Sequence, residues 1–543
     1  MKKLYSLLAL SLAAASLTAT AAPLSNPVFP SRAAEGTDLT DLPLVNELPD
    51  GVQSEFYSRD DIYFSLDFYG QLTFNADYGR ASEVAIDEDG TVYFGNPFGG
   101  FPTGSYLTGH LDGDKITVSF PQKIYSETYE DWNADPTGQT MRTDYAFAYK
   151  MTYTDDGTTS RLEIDTENPV MTFTYADGRI SQDDQAFIGM VALAERETEG
   201  GEMGQYLEWS GSADSQMVYS KVTAPKVALP EGAKLGNWIF TSGDERRLVQ
   251  AGFVGDDFYI QGMLTSAPDF LFKGSYADGK VTFEADQLMG LSERDDHFAW
   301  FTGASYTVAT NDEGEEYNVY TPLAKMAVDC DADRKLLVSD ADQAFVVSTI
   351  PGRIYYIEAY DDPELEKQDD STPMTPADPE IYSYTYYDEM EFGGIVYHIP
   401  EESTDGRLLD TSRLYYEFYI DDEPLTLYPD EYWDLEEPMT MIPYAYEDGS
   451  IYFWYTYHEA MIFARGFQKI GVQAIYLGDD DSETRSNIVY HDTNSVDTVA
   501  GEAAEAEYFD LNGMRVSSDA RGLLIRRAVM TDGSVSVTKI IRK

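Results

Sequence analysis

From Ser54 onward the chain alternates apolar and polar residues in short runs, and Asp-Gly pairs punctuate them. A period of two marks a strand with one buried face, because successive side chains point to opposite sides. Tyr175-Ala176-Asp177-Gly178-Arg179 and Tyr276-Ala277-Asp278-Gly279-Lys280 carry the pattern most clearly. Asp-Gly between two such runs suits a type I′ hairpin, whose central residues must both accept positive φ. Further pairs stand at Asp89-Gly90, Asp112-Gly113, Asp156-Gly157 and Asp448-Gly449. The pattern predicts an all-β, multi-domain chain of antiparallel sheets. Helical periodicity is confined to short pieces such as Met190 to Glu197.

The pattern also repeats. Gly90 to Phe94 and Thr108 to Val118 echo Asp257 to Gly262 and Lys273 to Phe283. Tyr93 matches Tyr259, Gly109 matches Gly274 and Gly113 matches Gly279, about 165 residues on. Each copy reads strand, Pro-bearing loop, strand, Asp-Gly turn, strand. A shared tail follows, Asp184-Gln-Ala-Phe-Ile188 in the first copy and Asp342-Gln-Ala-Phe-Val346 in the second. These matches predict two related β domains, at 50–225 and 226–358. A Pro-rich acidic stretch at 359–380 lacks apolar period and reads as a linker. A third domain is expected at 381–491, then an acidic, Ala-rich connector at 492–507 and a final segment at 508–543.

Composition sharpens this. At 543 residues there is room for three or four domains. Aromatics reach 14%, with 41 Tyr and 27 Phe, which favours pleated surfaces. The formal charge of −59 repels phosphate backbones, so nucleic acid is excluded as a general partner. A single cysteine, Cys330, excludes intrachain disulfides and Cys-based zinc clusters. At the N-terminus, Lys2 and Lys3 precede an apolar run from Leu4 to Leu17, and Ala19-Thr20-Ala21 supplies a small-residue cleavage site. Residues 1–21 therefore read as a secretory signal peptide and 22–49 as a leader. The apolar run is short of the ~20 residues of a membrane span, and no later stretch supplies a transmembrane segment. Without a cysteine at the cut, lipid attachment there is impossible.

Two segments resemble known families. Pro376 to Ile381, the Tyr-bearing run Leu414 to Pro424, Ile470 to Gly478 and Arg485 to Tyr490 follow the order of a fibronectin type III domain. The resemblance implies a β-sandwich over about 115 residues; Pro429 to Pro443 departs from the family as an acidic, aromatic insertion. The last 36 residues carry seven Lys or Arg against three Asp, a net of +4 on an acidic chain. Leu511, Gly513, Val516, Gly522 and Lys539 fall on a pattern that resembles the C-terminal sorting tail of type IX secretion in Bacteroidota. That likeness implies export machinery as a partner, and a secreted or outer-membrane-surface destination reached through the periplasm. The chain as a whole resembles secreted proteins of gut Bacteroidota, a likeness that carries no activity with it.

No catalytic signature stands out. There is no Gly-x-Ser-x-Gly elbow and no Gly-rich phosphate loop, and His458-Glu459 is followed by Ala460 rather than completing His-Glu-x-x-His. Cys330 lies between Asp329 and Asp331, which would raise its pKa. The five histidines are scattered and read as surface or turn residues. Calcium is the one cofactor the acidic loops suit, with Asp87 and Asp89 in one cluster and Asp479 and Asp481 in another. In Ile451 to His458, alternation puts Tyr452 and Trp454 on one face and Phe453, Tyr455 and Tyr457 on the other. The function expected is non-catalytic binding of a glycan or protein partner through aromatic faces. The alternative is a secreted hydrolase using a pair of carboxylates, as glycosidases do.

Overall fold

The computed structural model describes residues 31–32, 39–66, 72–99, 102–130, 141–155, 160–197, 203–292, 296–311, 313–387, 392–432, 435–454, 457–478 and 482–492, with the strand backbone at 503–509, 515–516, 522–530 and 535–542. Strands hold 62% of the chain, and no helix among the described residues reaches seven residues. None is long and apolar enough to cross a membrane. The abundant Tyr, Phe, Val and Ile suit a pleated, half-buried surface and lose χ1 freedom in a helix, so composition and class agree. The chain divides into two compact units, 1–367 and 368–543.

The first unit holds two closed rings of eight strands. One runs Glu55–Leu66, Leu72–Ile86, Thr91–Gly95, Tyr106–Asp112, Lys115–Ser119, Val170–Ala176, Arg179–Gln182 and Met203–Lys221, and the last strand pairs back with the first. The other runs Gly236–Ser242, Glu245–Val254, Asp257–Gln261, Leu271–Ala277, Lys280–Glu284, Lys325–Cys330, Leu336–Val338 and Glu364–Lys367, and closes likewise. Both rings are interrupted at the same two places. After the fifth strand a three-stranded excursion leaves the ring, Gln122–Glu130, Met141–Asp155 and Ser160–Ile164 in one and Gln287–Ser292, His297–Thr310 and Glu316–Pro322 in the other. After the seventh, Phe187–Glu197 or Gln343–Ser348 pairs with the middle strand of that excursion.

Details repeat as well. The Gln122 side chain accepts from Thr108 N–H and donates to the carbonyls of Thr108 and Ser119. Gln287 does the same with Lys273 N–H and the carbonyls of Lys273 and Glu284. In each copy this amide extends the ladder where the excursion begins. A Cβ on Gly109 would sit 3.0 Å from Val118, and one on Gly274 would sit 2.6 Å from Val281, so both strands need glycine where they cross the neighbouring hairpin. Asp177 and Gly178, like Asp278 and Gly279, have positive φ, as the hairpin reading requires. The rings are packed cores rather than cups. Tyr57, Phe94, Ile116, Phe173 and Met217 fill one, and Trp238, Phe258, Phe272, Phe283 and Val328 fill the other. Phe272 also stacks on Phe301 of the excursion at 4.0 Å, tying ring to sheet.

Several boundaries differ from the sequence reading. Met190 to Glu197 is strand, within Phe187–Glu197, because its long cross-strand ladders override local propensity. The stretch read as a linker at 359–380 contains Glu364–Lys367, which closes the second ring with Leu365 fully buried. One apolar residue among charges gave no visible period. The described part of the leader at 39–49 is fastened to the first ring, since Leu39 and Leu42 pack in its excursion core and Tyr106 N–H donates to the Val45 carbonyl. The connector at 492–507 likewise contains the start of a strand, Ala503–Phe509.

In the second unit two sheets share one core. The first has the order Glu380–Tyr387, Phe392–His398, Tyr457–Ile462, Ile451–Trp454. The second is centred on Leu414–Ile420 and Lys469–Leu477, with Glu483–Arg485 and Val489–Asp492 added at the edge. Ile395, Tyr397, Ala460 and Ile462 from one sheet meet Tyr416, Phe418, Val472 and Ala474 from the other. A further antiparallel sheet joins Ala503–Phe509 to Arg515–Val516 and Gly522–Met530, and the latter to Val535–Arg542. The signal-peptide reading at 1–21 lies outside the described residues.

Candidate ligand-binding face

The first sheet of the second unit has one face in the core and one in solvent. Ile395 and Tyr397, His458 and Ala460, and Ile451 and Phe453 alternate inward. Their neighbours therefore alternate outward. Register places Val396, Glu459 and Tyr452 in one outward row and pairs Tyr457 with Trp454 in the next. Trp454 is 47% exposed and Tyr457 37%, large values for aromatic rings. The Tyr452 and Trp454 rings lie 6.2 Å apart at 31°, forming a shallow two-ring step. The Tyr452 hydroxyl donates to the Gly449 carbonyl at 2.6 Å, which fixes that ring. Toward the other edge, Tyr387 is exposed and packs on Phe392 at 5.4 Å.

Tyr452 and Trp454 thus share a face, as alternation predicts. Tyr457 was expected on the opposite face and instead joins them. The run is two strands rather than one, Ile451–Trp454 and Tyr457–Ile462, so alternation restarts in the second strand. Tyr455 lies outside the described residues. Phe453 does point inward, packed on Tyr444 and His458.

Beneath the face lies His458, which the sequence reading placed at the surface or in a turn and which the packing of the two sheets buries instead. His458 is fully buried, stacked on Tyr397 and Phe453, and its Nε2 donates to the Tyr444 carbonyl at 2.7 Å. Burial pushes its pKa from 6.5 down to about 4, against the pull of that hydrogen bond. The fold therefore favours neutral imidazole. Its contribution is complete above pH 6.5 and is lost as pH falls toward 4, by about 3 kcal/mol in all. Chemical denaturation of the second unit's transition should show that loss between pH 6.5 and 4. His458→Gln should flatten the slope; an equally steep slope in the variant would assign the effect elsewhere.

The other candidates fare differently. Asp87 and Asp89 are spent on their own turn, accepting from Glu88 N–H and Thr91 N–H. Among the described residues no group of three His, Cys, Asp or Glu side chains converges as a metal would require. Asp479 and Asp481 lie outside the described residues, as do Leu511 and Gly513. Val516 pairs with Tyr508, Gly522 with Arg542 and Lys539 with Ile525, all in the terminal sheet. Cys330 is half-buried, and burial followed by Asp331 raises its pKa, which keeps the thiol protonated.

The most charged buried cluster also escaped the sequence. Arg59 is 1% exposed; its Nε lies 2.6 Å from Asp61, while one terminal nitrogen meets Asp214 at 2.5 Å and the other donates to the Pro97 carbonyl at 2.8 Å. Beside it Asp77 is bound by Arg80 and, at 2.7 Å, by His297 Nε2. Burial pushes Asp61 up to about 6 and drives Asp214 upward too, against the pull of Arg59. Asp77 is held at about 2: burial opposes its charge, but His297 and Arg80 outweigh it. Two buried acids with raised pKa values are what a hydrolase would show. Here they are sealed around a guanidinium, and neither lines either of two surface grooves on this unit. The cluster sits where ladders shift register, between Arg59 and Asp61 and between Ser215 and Val218, as strands leave the ring for the excursion sheet. Its role is to brace that bend.

Comparison with family models, curated proteins and solved structures found no match to the chain.

Proposed function

We propose that the chain is an exported, non-catalytic binding protein whose second unit engages its ligand through the outward aromatic face. The carrying observation is exposed Trp454 and Tyr457 paired across the strands, with half-buried Tyr452 stepping beside Trp454 on the same face. Exposed aromatics grouped on one face mark interaction sites, since burying them on a partner gains apolar area at little entropic cost. The π faces attract the C–H edge of a neutral sugar ring or the side chains of a protein partner. Glu459 on the same face and the net charge of −59 disfavour anionic ligands. The strand order of the two sheets supports the fibronectin type III-like reading of 381–491. The basic segment at 508–543, in a sheet of its own, supports the role of a sorting tail that delivers the protein through the periplasm to the surface or medium.

The test is a glycan and protein array probed with the mature chain, run beside a panel of glycosidase and peptidase substrates. Binding without turnover is expected. Turnover abolished by changing Asp61 or Asp214, with folding intact, would replace this reading with the hydrolase.

A further inference from the structure

The two copies in the first unit share a framework but differ on one surface. In the first copy, Thr91, Thr108, His110, Thr117 and Ser119 line a groove of about 390 Å³ on the outer side of the ring. Leu42 and Pro43 of the entry segment form one wall, with Tyr106 and Pro121 nearby. That wall is fastened: Leu44 bridges to Lys123, Tyr106 N–H donates to the Val45 carbonyl at 2.7 Å, and Lys123 Nζ donates to the Thr40 carbonyl at 2.5 Å. The volume falls near the small end of the ~300–1,000 Å³ usual for small-molecule sites.

In the second copy, register puts Asp257, Lys273 and Ser275 where the first has Thr91, Thr108 and His110. Lys273 binds Asp257 at 2.7 Å, and Ser275 donates to the same carboxylate at 3.0 Å. The polar groups of that surface satisfy one another. The first copy has no such ion pair: Thr108 Oγ1 donates to Gln122 at 2.9 Å and Thr91 hydrogen-bonds Asp89, which leaves the side chains of Thr117 and Ser119 without a hydrogen-bond partner among the described residues. None of the lining residues is acidic, in a chain with 96 acidic residues. Lys123 is committed to Thr40 and to the Tyr145 ring at 5.5 Å. What faces the groove is therefore mostly hydroxyl, each group both donor and acceptor, beside apolar Leu, Pro and Tyr surface. Vicinal hydroxyls on an apolar ring match that surface; an anion would ask for fixed cationic donors.

We propose that this groove is a second binding site, separate from the aromatic face, and that it takes a neutral mono- or disaccharide. Thr117 and Ser119 hydrogen-bond the sugar hydroxyls, and Tyr106 with the Leu42-Pro43 wall flanks its ring. The second copy has closed the equivalent surface with its ion pair.

The test is calorimetric titration of the mature chain with glucose, galactose, maltose, cellobiose and xylobiose, with inorganic phosphate as the anionic arm. At least one sugar should bind and phosphate should not. Thr91→Asp with Thr108→Lys writes the second copy's ion pair into the first, on strands that already tolerate it, and should weaken binding at least tenfold. Thr117→Tyr fills the groove from an exposed position and should do the same. Trp454→Ala should leave this binding unchanged. Phosphate bound in preference, no sugar bound, affinity retained in both groove variants, or binding lost with Trp454→Ala would each overturn the proposal. The last of these would leave the aromatic face as the sugar site.

Discussion

Arg59→Met should destabilise the first unit by about 3–5 kcal/mol, the usual cost of removing one partner from a buried ion pair. The loss comes from what remains rather than from the contact removed. Asp61 and Asp214 would stay buried with no cation between them, each already pushed upward by burial. The neighbouring Arg80 is committed to Asp77 and cannot replace the guanidinium. A triple variant, Arg59→Met with Asp61→Leu and Asp214→Leu, removes the whole group and should recover much of the stability, since apolar residues of similar volume often substitute for buried charges. Guanidinium denaturation of all three proteins checks this. A single variant as stable as the parent would mean that water reaches the cluster and that it braces nothing.

Removing 503–543 should leave a folded protein that stays in the periplasm. The terminal sheet pairs only within itself among the described residues, so a cut before Ala503 severs no ladder of the sandwich. A cut at 508 would instead leave most of the Ala503–Phe509 strand as an unpaired edge, inviting aggregation. With seven Lys or Arg among the last 36 residues, the segment offers a receptor a charge pattern the acidic body cannot mimic. Fractionation of a type IX-exporting cell expressing the truncated chain, with circular dichroism on the purified product, reads both outcomes. A truncated protein found at the surface or in the medium would remove the sorting role. One that fails to fold would make the segment a structural cap.

The strand content was legible because period-two patterning and Asp-Gly turns are local signals. Asp177-Gly178 and Asp278-Gly279 adopt the backbone that their residue types favour. Ring closure was not legible. In the second ring it depends on Leu365, one apolar residue in an acidic stretch, which pairs with Phe240 on one side and Leu337 on the other. Met190 to Glu197 misled for the same reason, since only its neighbours on both sides make it a strand. On the aromatic face, alternation placed Tyr452 and Trp454 together, while the antiparallel pairing of two strands that brings Tyr457 beside them left no mark in composition. Arg59, Asp61 and Asp214 looked like three among many surface charges. A register shift buries them, and shifts are set by pairing rather than by residue type.

Binding through the outward aromatic face is tested most directly in a chain whose groove is filled by Thr117→Tyr: the dissociation constant of its tightest array ligand is measured by calorimetry with and without Trp454→Ala. Trp454 is exposed and makes little core contact, so the variant should keep the parent's melting temperature. Truncating a central aromatic anchor usually costs 1 kcal/mol or more. Trp454→Ala should therefore bind at least tenfold more weakly, by about 1.4 kcal/mol. Unchanged affinity at unchanged stability would contradict binding through this face.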